Sequence, residues 1–158
     1  MRRAGCVAAD HAHIAIREAR EGDASEVARL CTLLAYPVDA ATMTARLRHL
    51  GASPSHATWV AASPAGPLLG LVAAEWRLMI EFGTRGEIVA LIVDPAARRL
   101  GLGRRLVDTA CDWIRMQGGR DVFVRSNVVR PESHAFYPAA GFGFAKTQHV
   151  YVRRLDAR

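Results

Sequence analysis

Several scarcities narrow this chain before any motif does. No apolar run approaches the roughly 18 to 20 residues that cross a bilayer as a helix, so nothing in the sequence suggests a membrane span or a membrane partner. The first residues, "MRRAGCVAADHAH", carry two arginines but lack the apolar stretch of about 7–15 residues found in a secretory signal. Residues 1–13 therefore read as a flexible tail. Cys6, Cys31 and Cys111 are odd in number and widely spaced, fitting neither a disulfide framework nor a zinc pattern. A reduced, cytoplasmic setting is the expectation. The six histidines form no ligand cluster, and His11 and His13 near Cys6 read better as tail than as a metal site. No metal is expected. Aromatics make up 7% of residues and are not interleaved with arginines, as a base-stacking platform requires, so nucleic acid is disfavoured as a partner.

What is present is a globular composition: 51% hydrophobic over 158 residues, enough to bury one core. A net charge of +6 and a pI near 10 call for an anionic partner, and a phosphorylated cofactor satisfies that as well as nucleic acid does. There is no internal repeat, linker or low-complexity tract, so residues 14–158 read as one mixed α/β domain.

Alternation from Ile14 and the break at Gly22-Asp23 predict a first strand. Asp23, with Glu26 three residues on, has the spacing of a capping box for a helix that turns Val27, Leu30, Leu33 and Leu34 inward. "DAATMTARLRHLG" predicts a second helix with Met43, Leu47 and Leu50 inside and Gly51 as its stop. "HATWVAAS" and "PLLGLVAAEWRLMI" make a hairpin around "PAGP", and "EFGTRGE" reads as a loop. "EIVALIVDP" is apolar almost throughout, as a central strand buried on both faces would be. A helical stripe at 102, 106, 110, 113 and 114 ends at Gly118-Gly119. "DVFVRSN" then predicts a strand, "PESHAFYPAAG" a short helix with Pro131 in its first turn, and "FGFAKTQHVYVRRL" one or two closing strands. The expected order is β-α-α-β-β-β-α-β-α-β, a central, mostly antiparallel mixed sheet flanked by helices.

Between the apolar strand and the long helix lies "RRLGLGRRL", four arginines and two glycines in nine positions. Backbone N–H groups at a helix start lack intrahelical partners and sit at the positive end of its dipole, so they favour anions. Gly101 and Gly103 remove side chains that would keep a phosphate away, and Arg98, Arg99, Arg104 and Arg105 add charge. The plain alternative is tight turn packing beneath a solvated arginine surface. A Walker A loop is excluded because no Gly-Lys-Ser/Thr occurs, and a dinucleotide fingerprint because its third glycine would fall on Leu106.

R-x-x-G-x-G does match, as "RRLGLG" at 98–103 after "LIVDP". This resembles the acetyl-CoA-binding signature of the GNAT superfamily of N-acetyltransferases. The likeness runs from about Ile14 to Leu155, and "NVVRPESHAFYPAAGF" is similar to a stretch of many bacterial members. It implies the acyl-CoA N-acyltransferase fold, acetyl-CoA as co-substrate, an amine acceptor and direct transfer, with a homodimer left open. By the resemblance, backbone groups of Leu91, Ile92 and Val93 hold the pantetheine arm. Those from Arg99 through Leu100, Gly101, Leu102 and Gly103 to Arg104 hold the diphosphate, with Arg98 also at the cofactor site, and Asn127 or Ser133 lies near the arm. Many members place an asparagine seven residues before the tyrosine, where this chain has Arg130.

Amine acetylation needs a neutral amine, a polarised carbonyl and a proton for the departing thiolate. Glu87 stands eleven residues before Arg98, the spacing of the general base in the histone-acetylating branch. At the edge of an apolar cleft its pKa is expected above the ordinary carboxylate value; the alternative is a glutamate merely ending a strand. The resemblance makes Tyr137 the acid that protonates the thiolate, against a plain core aromatic. His134, one turn earlier, shares that role or hydrogen-bonds structurally. Cys111 falls on the apolar stripe and reads as packing, while Trp59, Trp76 and Tyr36 read as core or strand packing rather than as an acceptor pocket. The leading expectation is acetylation of a primary amine on a small molecule, aminoglycoside-like acceptors included. Alternatives are a protein N-terminus or lysine as acceptor, a basic nucleic-acid-binding domain, and a non-catalytic acyl-CoA sensor.

Overall fold

The structure, a computed structural model, describes residues 13–64 and 66–155. The chain forms two compact units, one ending at Arg125 and the other beginning at Ser126.

In the first unit, short alternating stretches and longer apolar runs give strands β1 (Ala15–Glu18), β2 (His56–Ala62), β3 (Leu68–Met79), β4 (Gly83–Val93) and β5 (Val122–Val124). They form one sheet in chain order; β1 to β4 are antiparallel neighbours and β5 runs parallel to β4. Helices α1 (Ala24–Leu33) and α2 (Ala40–Gly51) pack Val27, Leu30, Met43 and Leu47 into a core with Val60, Leu71 and Ile92. Helix α3 (Leu102–Met116) buries Leu102, Leu106, Val107, Ala110 and Ile114. Trp113 of α3 meets Trp59 edge-on, with ring centroids 6.0 Å apart. Neighbouring β2 residues thus point to different helices, Val60 to α1 and α2, Trp59 to α3.

The loop expected at 81–87 is shorter than the sequence suggests. Strand β4 begins at Gly83, so Glu87 lies inside it, paired with Glu75 of β3 and Phe123 of β5. Gly86 is needed because β4 crosses close under α3: a Cβ there would lie 2.3 Å from Cγ2 of Ile114. Farther along, Ala73 pairs with Ala90 and Ala74 with Ile88, leaving Val89 as the extra residue of a β-bulge. The bulge shifts the alternation. Gly86 faces α3, yet Ile92, six residues on, joins the core under α1 and α2.

Three local expectations are corrected. Asp23 does not cap α1: its carboxylate takes both Arg17 nitrogens at 2.7 and 2.8 Å and the Arg20 N–H at 2.8 Å, a charged grip that outcompetes a helix cap. Glu26 binds Arg29 and the Leu68 N–H instead. Leu33 is exposed at the helix end, where Ala35 turns left-handed (φ 64°) and the chain leaves the core. Asp39, by contrast, caps α2 by accepting the Thr42 N–H at 2.8 Å.

The second unit holds helix α4 (Pro131–Ala139), entered by a turn in which Asn127 Oδ1 accepts the Val129 N–H at 3.2 Å. Closing strands expected in 142–155 do not form; residues 143–155 lack regular structure and are exposed. A strand satisfies its backbone only beside another, and this unit contains no strand among the described residues.

Candidate functional site

The turn leading into α3 is built by backbone conformation. Asp94 accepts the Ala96 N–H at 3.0 Å and the Arg29 guanidinium at 2.7 Å, and Arg29 holds its carboxyl below the usual carboxylate range. After the 3₁₀ turn Pro95–Ala97, Arg98 is extended, Arg99 left-handed (φ 65°), and Gly101 left-handed (φ 73°) at the start of α3. Alternating hand of this kind curls successive N–H groups into a concavity suited to an anion. The first intrahelical bond, from the Arg105 N–H to the Gly101 carbonyl at 3.1 Å, leaves the preceding helix-start donors outside the ladder. A Cβ at Gly101 would meet nothing within 4 Å, so glycine is required there by its φ, and the space before the turn is open. The arginines divide. Arg98 and Arg99 are exposed; Arg104 pairs with Asp108 at 3.2 Å, and Arg105 donates to the Ile14 carbonyl at 2.7 Å, tying α3 to the start of β1. Arg104 and Arg105 thus keep side-chain donors engaged within the protein.

Beside the turn, β4 has an open edge. Its pairing with β5 covers Gly86, Glu87 and Ile88 and then stops. From Val89 through Leu91, Ile92 and Val93, no described strand adds to that side, and Val89 is half exposed at the bulge. The Ile92 side chain is buried against the core, and the edge from Val89 on leaves backbone groups without a strand partner among the described residues. An extended chain with amide groups fits such an edge as an added strand.

Glu87 differs most from its expectation. It is 2% exposed, but its surroundings are anything but apolar. Arg125 grips it with Nε at 2.6 Å and Nη2 at 3.0 Å, and Arg77 donates to Oε2. Burial alone would push its pKa up; the Arg125 hydrogen bonds and the charges of Arg125, Arg77 and Arg85 outweigh that and hold it below the usual range. The expected raised pKa is thus corrected: three arginines that sequence spacing did not bring to Glu87 surround it. With Glu87, Ile88 and Val89, Arg125 lines a pocket of about 250 Å³.

In the second unit, Tyr137 is half-buried between Phe136 and Phe142, edge-on to both at 5.3 and 5.5 Å. Burial pushes its phenol pKa up, against a smaller opposing effect of Arg130, so the hydroxyl keeps its proton. His134 and Asn127 are exposed and Ser133 half-buried. Burial likewise raises the thiol pKa of Cys111, which fits packing rather than attack. Trp59 is core, whereas Tyr36 is 69% exposed and packs in no core. Cys6 and His11 lie outside the described residues, and among the described residues no group of histidine, cysteine and carboxylates could hold a metal. No helix among them is long and apolar enough to cross a membrane.

The strand, arginine–glycine turn and helix start that the sequence likened to acyl-CoA-dependent N-acyltransferases lie in succession here, as β4, residues 98–103 and α3. The chain belongs to that class: residues 22–144 match the model of the acetyltransferase (GNAT) family. Among curated proteins, a mycothiol acetyltransferase of Beutenbergia cavernae is 38% identical over 72 residues, 46% of this chain and 24% of that protein. The chain thus matches about a quarter of that relative's length. Among solved structures, an acetyltransferase of Trypanosoma brucei superposes with a TM-score of 0.71 at 25% identity, covering 92% of this chain and 100% of the other. An aminoglycoside N-acetyltransferase in complex with CoA superposes with a TM-score of 0.80 at 18% identity, covering 90% and 96%. The fold expected from the sequence is the one these structures share.

Proposed function

We propose that this protein transfers an acetyl group from acetyl-CoA to a primary amine of a small molecule by direct attack. The observation that carries the reading is the open edge of β4 beyond Ile88, continuous in sequence with the Arg98–Arg104 turn. Backbone groups of Leu91, Ile92 and Val93 would hold the pantetheine arm as an added strand. The helix-start N–H groups from Arg99 to Arg104, with the exposed Arg98 and Arg99 side chains, would hold the diphosphate. Asn127 and Ser133 are candidates for a further contact to the arm. When bound, acetyl-CoA supplies an activated thioester.

This chain's residues then position the carbonyl and manage one proton. Tyr137, its pKa raised by burial, is the donor to the sulfur as the C–S bond breaks. Glu87, its pKa lowered, stays ionised near neutral pH and serves better as the counter-ion that fixes Arg77 and Arg125 than as a store for the amine proton. The acceptor therefore sheds its proton to water or arrives neutral.

Acetyl-CoA titrated into the protein in a calorimeter, followed by thiol-release assays with an amine panel, tests the reading. Saturable binding and amine-dependent thiol release are expected. Absence of acetyl-CoA binding would refute it.

A further inference from the structure

The register of β3, β4 and β5 gathers charge on one face of the sheet. Arg77 pairs with Arg85 and Glu75 with Glu87 across β3 and β4, and Glu87 pairs with Phe123 across β4 and β5. Paired residues point the same way, as do residues two apart. Glu75, Arg77, Arg85, Glu87, Phe123 and Arg125 therefore share one face, with three arginines against two carboxylates.

Glu87 is fully occupied, taking Arg125 and Arg77. Two donors remain. Arg125 uses Nε and Nη2 on Glu87, which leaves Nη1 without a partner among the described residues, and its side chain is 62% exposed. Arg85 lies over the Phe123 ring, its guanidinium carbon 3.3 Å from the ring centroid, and makes no hydrogen bond among the described residues. Its Nε is buried and unpartnered, as is that of Arg77. Buried polar atoms are normally satisfied, and a guanidinium held over a ring is pre-organised for an oxyanion. The pocket lined by Glu87, Ile88, Val89 and Arg125 opens on the same strands.

We infer that Arg85 and Arg125 form an oxyanion subsite, and that the acceptor is an amine carrying a phosphate or carboxylate group rather than a polycation. The inference rests on the acetyltransferase reading and specifies its substrate class. A polycationic acceptor would meet a surplus of arginine and a carboxylate already neutralised; an anionic group would complete the open donors. Arg85 is a specificity-determining residue and takes no part in the proton transfers.

The test uses matched pairs, glucosamine 6-phosphate against glucosamine and 4-aminobutyrate against butylamine, with thiol release read as kcat/KM. The protein should favour the anionic member of a pair by about tenfold or more, the scale of one charge-assisted hydrogen bond. Which pair responds distinguishes phosphate from carboxylate. In Arg85→Met the preference should fall to within about twofold, with the Kd for acetyl-CoA unchanged; Arg85→Lys should recover part of it. Equal or reversed preference in the parent, or a preference that survives Arg85→Met, overturns the subsite. If no pair turns over, calorimetric binding of the same four molecules decides by the same criteria. Failure to bind acetyl-CoA is a separate result, directed at the acetyltransferase reading itself.

Discussion

Replacing Glu87 by glutamine keeps the side chain's shape and removes its charge. In the native protein that charge receives two hydrogen bonds from Arg125 and one from Arg77, at a position 2% exposed. Breaking a fully buried ion pair costs about 3–5 kcal/mol. Here the arginines are not fully buried, with side chains 32% and 62% exposed for Arg77 and Arg125, so water replaces part of what is lost. A cost of about 1–3 kcal/mol is the consistent figure, near the value of one or two hydrogen bonds to a charged group. For a chain of this size each kcal/mol lowers Tm by about 2–4 °C, so Glu87→Gln should melt roughly 3–10 °C below the parent at pH 7. The pH dependence has a definite sign. Because the native pKa lies below the unfolded one, the stabilisation is complete above the ordinary carboxylate range and is lost as pH falls through the native pKa. Scanning calorimetry from pH 7 downward should show the gap between parent and variant closing in acid. Equal melting temperatures at pH 7, or a gap that persists unchanged into acid, would refute the caged-carboxylate account. The rate profile supplies a second check: between pH 6 and 9, about two units or more above the usual carboxylate pKa, Glu87 does not titrate, so the variant's profile should keep the parent's shape. An acidic limb that vanishes in Glu87→Gln would restore Glu87 as the base.

Three further outcomes follow from named contacts. Gly86→Ala puts a methyl group 2.3 Å from Ile114 Cγ2 and should cost about 1–3 kcal/mol by overpacking; in an Ile114→Ala background, which lacks Cγ2, the same substitution should lower Tm clearly less. Gly101→Val forces a β-branched residue into a left-handed φ of 73° and should weaken acetyl-CoA binding about tenfold or more, abolishing most of the ligand-induced rise in Tm. Unchanged affinity would separate the turn from the diphosphate. Tyr137→Phe should lower kcat about 10²-fold or more with little change in acetyl-CoA Kd, since a general acid acts only in the transition state. Near-normal kcat would make Tyr137 a packing residue.

Local pattern located α2, α3, the β2–β3 hairpin and most of the strand ahead of the arginine turn, because an amphipathic stripe, a cap, a turn and an unbroken apolar run are properties of a few neighbouring residues. The R-x-x-G-x-G turn was legible for the same reason: a left-handed glycine and a helix start are local, and both are present at Gly101. The environment of Glu87 was not. Its partners Arg77 and Arg125 lie 10 and 38 residues away, and only strand register brings them to it. An earlier start for β4, at Gly83, would have put Arg85 and Glu87 on one face, but the turn-like "EFGTRG" concealed it. The bulge at Val89 is a mismatch between two strands and has no mark in either alone. Nor does the composition of 142–155 reveal that its alternating residues lack a partner strand in their own unit. Sequence determined the helices, most strands of the first unit and the left-handed glycine at the start of α3, because those depend on neighbours along the chain. The charge state of Glu87, the free edge of β4 and the unpaired donors of Arg85 were decided only by tertiary structure, because each depends on which distant backbone lies alongside.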